Sequence, residues 1–216
     1  MTDKFHLELK DLKKEVAEMA HFGFAMLRDA LEAFVNQNDE QASQVIERKE
    51  QLRVTGVRLE EHCYQLIALN QPMARDMRTI VCSLKVIAAS DRIGRYGKST
   101  AKIVREISRQ PHIANMMSLP LMSEYVLSMI EDAIAAYEKE DINALKEFSA
   151  RDDAIDSLRH SIFREAITYM MENPKTITQA TYYIIIARYL ERCADHACKI
   201  AENVYYMETG ERVEIK

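Results

Sequence analysis

The chain has 216 residues, a formal net charge of −5, 29% charged and 48% hydrophobic residues. That balance excludes disorder, and the acidic charge argues against a nucleic-acid binder, which needs a concentrated cationic face. No run of eighteen apolar residues occurs, since the best candidate, "IVCSLKVIAA", is short and broken by Lys85, so direct membrane insertion is not expected.

Five glycines and four prolines punctuate the chain, and no hairpin dipeptide lies between alternating apolar runs, so an all-α fold is expected. The first helix carries Phe5, Leu9, Leu12, Val16, Met19, Gly23, Met26 and Ala30 at three-and-four spacing and ends near Asn36. Asn38 then offers an N-cap for a second helix running from about Asp39 to Leu69. Pro72 opens a third, reaching about Arg109. "RQPHIANMMSLP", bounded by Pro111 and Pro120, reads as a linker. A fourth helix spans about Leu121 to Lys139, a fifth Asp141 to Met171, and a sixth Pro174 to Met207.

The second half replays the first at a spacing of about one hundred residues. "NQPMARDMRT" and "ENPKTITQAT" put Pro72 and Pro174 in equivalent places. "IAASDRIGRYGKSTAKI" faces "ARYLERCADHACKIAEN", setting Asp91 opposite Glu191, Gly94 opposite Ala194 and Arg95 opposite Asp195. The expected architecture is two tandem three-helix bundles related by internal duplication: residues 1–110, a linker over 111–120, and residues 121–210.

The charged residues of the sixth helix carry the chemistry. Its inward period runs through Ile184, Ala187, Glu191, Ala194, Cys198 and Ala201, which places Glu191 on the apolar seam. Asp195 lies one turn on, about 6 Å along the axis. Two carboxylates in a partly dry groove repel unless a cation lies between them. "ARDDAIDSL" on the fifth helix supplies Asp152 or Asp153 as a third acid, and such an oxygen-rich site suits iron, manganese, magnesium or calcium and tolerates zinc. The alternative is a solvated face on which Arg188, Arg192 or Lys199 satisfies the acids. His196, beside Asp195, could add a nitrogen ligand or point away. Cys63, Cys82, Cys193 and Cys198 show neither zinc-ribbon nor CxxC spacing and read as buried thiols.

These residues resemble the PhoU family of phosphate-uptake regulators. "LERCAD" is similar to the family's third-helix motif, "ARDDAID" to the aspartate pattern of its second helix, "QPMARDMR" to the opening of its first-repeat third helix, and "AENVYYMETGE" to its usual ending. The resemblance implies a cytoplasmic regulator of phosphate uptake and phosphate-starvation signalling, with no enzymatic activity. Its partners would be the ATPase subunit of the phosphate transporter and a membrane sensor histidine kinase. It also implies a metal ion, iron, zinc, manganese or magnesium, held by Asp152, Glu191 and Asp195.

The first copy departs from the family pattern. Lys49 stands where an aspartate is usual, Asp91 replaces the glutamate, and Arg95 replaces the second acid, so an ion pair without metal is expected there. Homodimerisation is expected from the apolar surface of paired bundles. Two other functional classes are a metal-free helical scaffold and a ferritin-like di-iron carboxylate enzyme. The latter needs two Glu-x-x-His pairs, and only "EMAH", Glu18 to His21, has that spacing.

Overall fold

The computed structural model describes residues 3–113 and 116–215. Seven α-helices follow one another, α1 Asp3–Asn36, α2 Asp39–Glu47, α3 Lys49–Asn70, α4 Arg75–Ile107, α5 Leu119–Lys139, α6 Phe148–Glu172 and α7 Ile177–Thr209, and no strand occurs among the described residues. Every residue of the seam expected on α1 is buried. Asn38 caps α2, its side chain accepting from the Gln41 N–H at 3.0 Å.

Several boundaries differ from the sequence reading, and Pro72 does not open its helix, because Ala74 takes a positive φ of 47° and α4 begins only at Arg75. The expected second helix is divided into α2 and α3 by Arg48 alone, whose backbone stays helical in angle and whose carbonyl still accepts from the Leu52 N–H at 3.1 Å. Its guanidinium meanwhile reaches across to Asp29 on α1 at 2.6 Å. The expected fifth helix starts seven residues late, as α6. The Asp141 carboxylate there folds a turn by accepting from both the backbone and side-chain N–H groups of Asn143 at 2.9 Å, and a short 3-10 turn at Asn143–Leu145 follows. Likewise Pro174–Thr176 forms a 3-10 turn before α7 begins. Of the expected linker, Ala114 and Asn115 lie outside the described residues.

α1 packs most extensively on α4, with α2 and α3 alongside; α5 and α6 pack on α7; and α4 lies against α7, joining the halves. The α1–α4 contact is close because glycines line it. A Cβ at Gly23 would sit 2.6 Å from the Ser90 carbonyl oxygen, and one at Gly97 would sit 2.7 Å from the backbone of Met26 and Leu27. Backbone that near leaves no room for a methyl group, so composition at those positions fixes the interaxial distance.

α4 and α7 run antiparallel. Arg78, near the start of α4, donates to the Met207 carbonyl at 3.1 Å, and Arg75 pairs with Glu208 at 3.0 Å. The segment Pro111–Ile113 is fastened between the halves by side chains. His112 Nε2 donates to the Phe34 carbonyl at 2.9 Å, which leaves Nδ1 of the neutral ring to accept from the Tyr183 hydroxyl at 2.6 Å. That hydroxyl accepts in turn from Gln179 at 3.2 Å and from the Ile113 N–H at 3.3 Å, while Gln179 also donates to the Pro111 carbonyl at 3.0 Å. Tyr183 is buried in this network, and its phenol is pushed up to about 12, by burial first.

Candidate functional site in the second repeat

α6 and α7 pack side by side, and this brings Asp152 next to Asp195 and Cys198. Burial raises the Asp152 carboxyl above its ordinary range, and the Asp195 charge raises it further, while a hydrogen bond from the Cys198 thiol acts the other way. Burial also pushes the Cys198 thiol up, helped by the Asp152 charge. The Asp195 charge reaches Asp152 across a half-buried seam, where a proton or a cation would relieve the repulsion.

Glu191 looks elsewhere. Its Oε2 lies 3.4 Å from Arg159 Nε of α6 and 3.4 Å from Arg188 of its own helix. Asp195 is also held by an arginine three positions before it, Arg192, at 2.7 Å. Two of the three cations foreseen for a solvated face are therefore engaged as i,i+3 partners, whereas Lys199 turns to Glu202 at 2.8 Å. Among the described residues no three His, Cys, Asp or Glu side chains are gathered as a metal cradle. The donor set present fits a hard cation at Asp152 and Asp195; Glu191 spends its charge on Arg159 and Arg188. The Arg159 Nε is itself buried without a properly aligned hydrogen bond, so its hold on Glu191 is electrostatic.

Arg159 was not foreseen as a partner of Glu191. It lies seven residues after Asp152, hence on the same face of α6, and that spacing was the available signal. Asp153 is exposed. His196 is turned toward α4, its ring 6.1 Å from that of Tyr96, and Tyr96 lies 5.4 Å from Tyr189. All four cysteines are buried and free.

In the first repeat Arg95 Nε contacts Asp91 Oδ2 at 2.6 Å, leaving Asp91 Oδ1 buried without a partner. Lys49 is the first residue of α3 and makes no ion pair with Asp91 among the described residues, so Arg95 alone supplies the neutralising charge. The single Glu-x-x-His pair, on α1, is occupied in surface pairing: His21 Nε2 lies 2.9 Å from Glu138, and Glu18 lies 3.8 Å from Lys14.

Comparison with known proteins agrees with this duplicated architecture. The PhoU domain family matches twice, over residues 16–104 and 119–204. The chain is 36% identical over 216 residues to the phosphate-specific transport system accessory protein PhoU homolog of Rhizobium meliloti, covering 95% of this chain and 87% of that one. It is 29% identical over 211 residues to the Escherichia coli accessory protein PhoU, covering 98% and 88%. The crystal structure of PhoU from Pseudomonas aeruginosa superposes with a TM-score of 0.91 at 27% identity over 96% of this chain and 100% of that one. The PhoU structure from Streptococcus pneumoniae, titled a phosphate transport system regulatory protein, gives 0.88 at 26% identity over 97% and 99%. With two domain matches spanning most of the sequence and a shared fold over nearly all of it, this chain belongs to the PhoU family.

Proposed function

We propose that this protein regulates phosphate uptake and phosphate-starvation signalling from the cytoplasm, by contact with other proteins and without catalysis of its own. The observation that carries this reading is the pair of PhoU domain matches, one per repeat, in a chain named relatives match almost end to end. No described helix is long and apolar enough to cross a membrane, so action on a transporter requires docking. The partners are the ATPase subunit of the phosphate transporter and a sensor histidine kinase, and the chain pairs with itself. A strain lacking this gene tests the reading. Starvation genes expressed in abundant phosphate support it; continued repression overturns it.

The second repeat binds a divalent or trivalent metal through Asp152 and Asp195, with Glu191 as third ligand once it leaves Arg159 and Arg188. A bound ion supplies positive charge that holds α6 to α7. Asp152 of α6 and Asp195 of α7 would hold such an ion, which would compete with Arg192 for Asp195. Ligand-linked stabilisation offers a readout independent of regulation: saturation at a hundredfold over Kd adds about 2.7 kcal/mol. Manganese, iron or zinc should therefore raise the Tm of wild type and not that of Asp152→Asn/Asp195→Asn. If Asp91→Ala loses the bound metal while the double variant keeps it, the assignment of repeats is reversed.

A further inference from the structure

A cavity lies between α4 and α7, one turn beyond Asp195 along α7, and the segment after α7 closes one side of it. Gly210 turns the chain with φ +78°, Arg212 stacks on the Tyr206 ring at 5.1 Å, and the Ile215 N–H donates to Glu202 at 3.1 Å. The groove is open to solvent, its four cations are exposed, and its volume is about 560 Å³. That is within the range of small-molecule sites.

Its charge is unlike that of the molecule. In a chain of net charge −5, this cavity is lined by four cations, Lys85, Arg92, Lys199 and Arg212, against the single carboxylate of Glu202. That carboxylate is already committed, since both its oxygens accept from Lys199 at 2.9 and 2.8 Å and one also takes the Ile215 N–H. Lys85, Arg92 and Arg212 have no carboxylate ion-pair partner among the described residues, whereas Arg188 and Arg192 of α7 each pair with an acid three residues on. The Glu214 charge also acts on Lys199, so the four cations exceed the nearby carboxylates by two, in a concavity that concentrates their field.

The spacing selects the ligand. Lys85 and Arg92 are seven residues apart on α4, which places their attachments about 10 Å apart along the helix axis. A single tetrahedral oxyanion can lie beside both only if the two long side chains bend together, and it cannot also span the groove. A linear anion with two or more phosphate groups can, and arginine and lysine are the side chains that match phosphate oxygens. The Tyr206 ring is already covered by Arg212, so it offers no open face for a nucleobase. We propose that the α4–α7 groove binds an anion carrying two or more linked phosphates, through Lys85, Arg92, Lys199 and Arg212. Asp152 and Asp195 do not line this groove, although Lys199 is only one turn beyond Asp195, and the reading does not depend on metal or on partner proteins.

Calorimetric titration of the full chain in chelator, with inorganic tripolyphosphate, pyrophosphate, orthophosphate and adenosine triphosphate as separate probes, tests it. Tripolyphosphate should bind saturably and more tightly than orthophosphate, and weaken as sodium chloride rises from about 50 to about 200 mM. Lys85→Gln/Arg92→Gln should weaken it at least about tenfold. The remote Lys4→Gln should leave affinity unchanged, and far-ultraviolet circular dichroism should show all variants folded. Equal binding of adenosine triphosphate supports the site and assigns it to nucleotides, whereas preference for the inorganic chain supports it and excludes them. Absence of saturable binding, orthophosphate binding as tightly as tripolyphosphate, or affinity unchanged in the folded double variant overturns the proposal. So does displacement of tripolyphosphate by a deca-glutamate peptide at lower concentration, which gives the groove to an acidic protein segment. None of these outcomes touches the regulatory reading, which the deletion strain decides.

Discussion

Arg48 holds Asp29 at 2.6 Å, and its counterpart in the second repeat, Arg151, holds Asp132 at the same 2.6 Å and the same sequence separation of 19. The duplication has thus kept an ion pair that ties the first helix of each repeat to its second. The settings are not equal. Asp29 is 14% exposed and Asp132 is 42% exposed.

This difference makes the two pairs a test of burial at fixed geometry. Asp29→Ala removes a mostly buried carboxylate that serves both Arg48 and Arg28, and should cost about 1–3 kcal/mol. Asp132→Ala removes a solvent-screened partner and should cost less than about 1 kcal/mol. Urea denaturation of both variants checks the ranking.

The glycines on the α1–α4 contact provide a second test. Gly97→Ala and Gly23→Ala push a methyl group into backbone that cannot yield, and each should destabilise by about 1–3 kcal/mol despite the better helix propensity of alanine. Gly56→Ala meets only the Met19 methyl carbon, at 3.0 Å, the free end of a pliant side chain. It should shift stability by less than about 1 kcal/mol. Thermal melts of the three variants decide.

Opposite pH dependences are expected of Asp152 and Glu140. The folded pKa of Asp152 is raised, so the native state binds more protons than the unfolded one across that window, and its ionisation lowers stability as pH rises. In chelator, Asp152→Asn should therefore melt above wild type at neutral pH, with the gain gone below the ordinary aspartate range. Glu140 is held below its usual range by the Lys13 hydrogen bond, with Arg75 adding to it. Its contribution is present above the unfolded pKa and lost as pH falls through the folded one. Glu140→Gln should melt below wild type near neutrality and match it in acid. Melting curves between about pH 3 and pH 7 measure both differences.

The two most buried tyrosines should also part company. Tyr183→Phe leaves His112 Nδ1 and the Ile113 N–H without their partner and should cost about 1–3 kcal/mol. Tyr137 only hydrogen-bonds Ser83, at 2.7 Å, and Ser83 keeps its own bond to the Thr79 carbonyl at 2.8 Å. Tyr137→Phe should therefore cost about 1 kcal/mol or less. Equilibrium unfolding of each variant gives the comparison.

Much of the fold was legible because helical periodicity and caps are local. The α1 seam and the Asn38 cap follow from residues within one or two turns of one another. The late start of α6 was not legible, since Asp141 can begin a helix or fold a turn, and only its bonds to Asn143 show which it does. At the candidate site, the i,i+3 partners Arg188 and Arg192 could be named from spacing. Spacing from Asp152 puts Arg159 on the right face of α6, but its approach to Glu191 depends on how α6 rotates against α7. The same holds for the α4–α7 groove, whose cations are scattered over more than a hundred residues and converge only through antiparallel packing.

The fastening of Pro111–Ile113 has a consequence for how the duplicated halves respond to stress. A connection bonded at once to Phe34 of one repeat and to Gln179 and Tyr183 of the other acts as a clamp, and α4 resting on α7 leaves no hinge around which the halves can swing. Losing either half exposes the inner wall of the other. The tandem therefore melts as one cooperative unit, and a perturbation in either repeat is paid for by both.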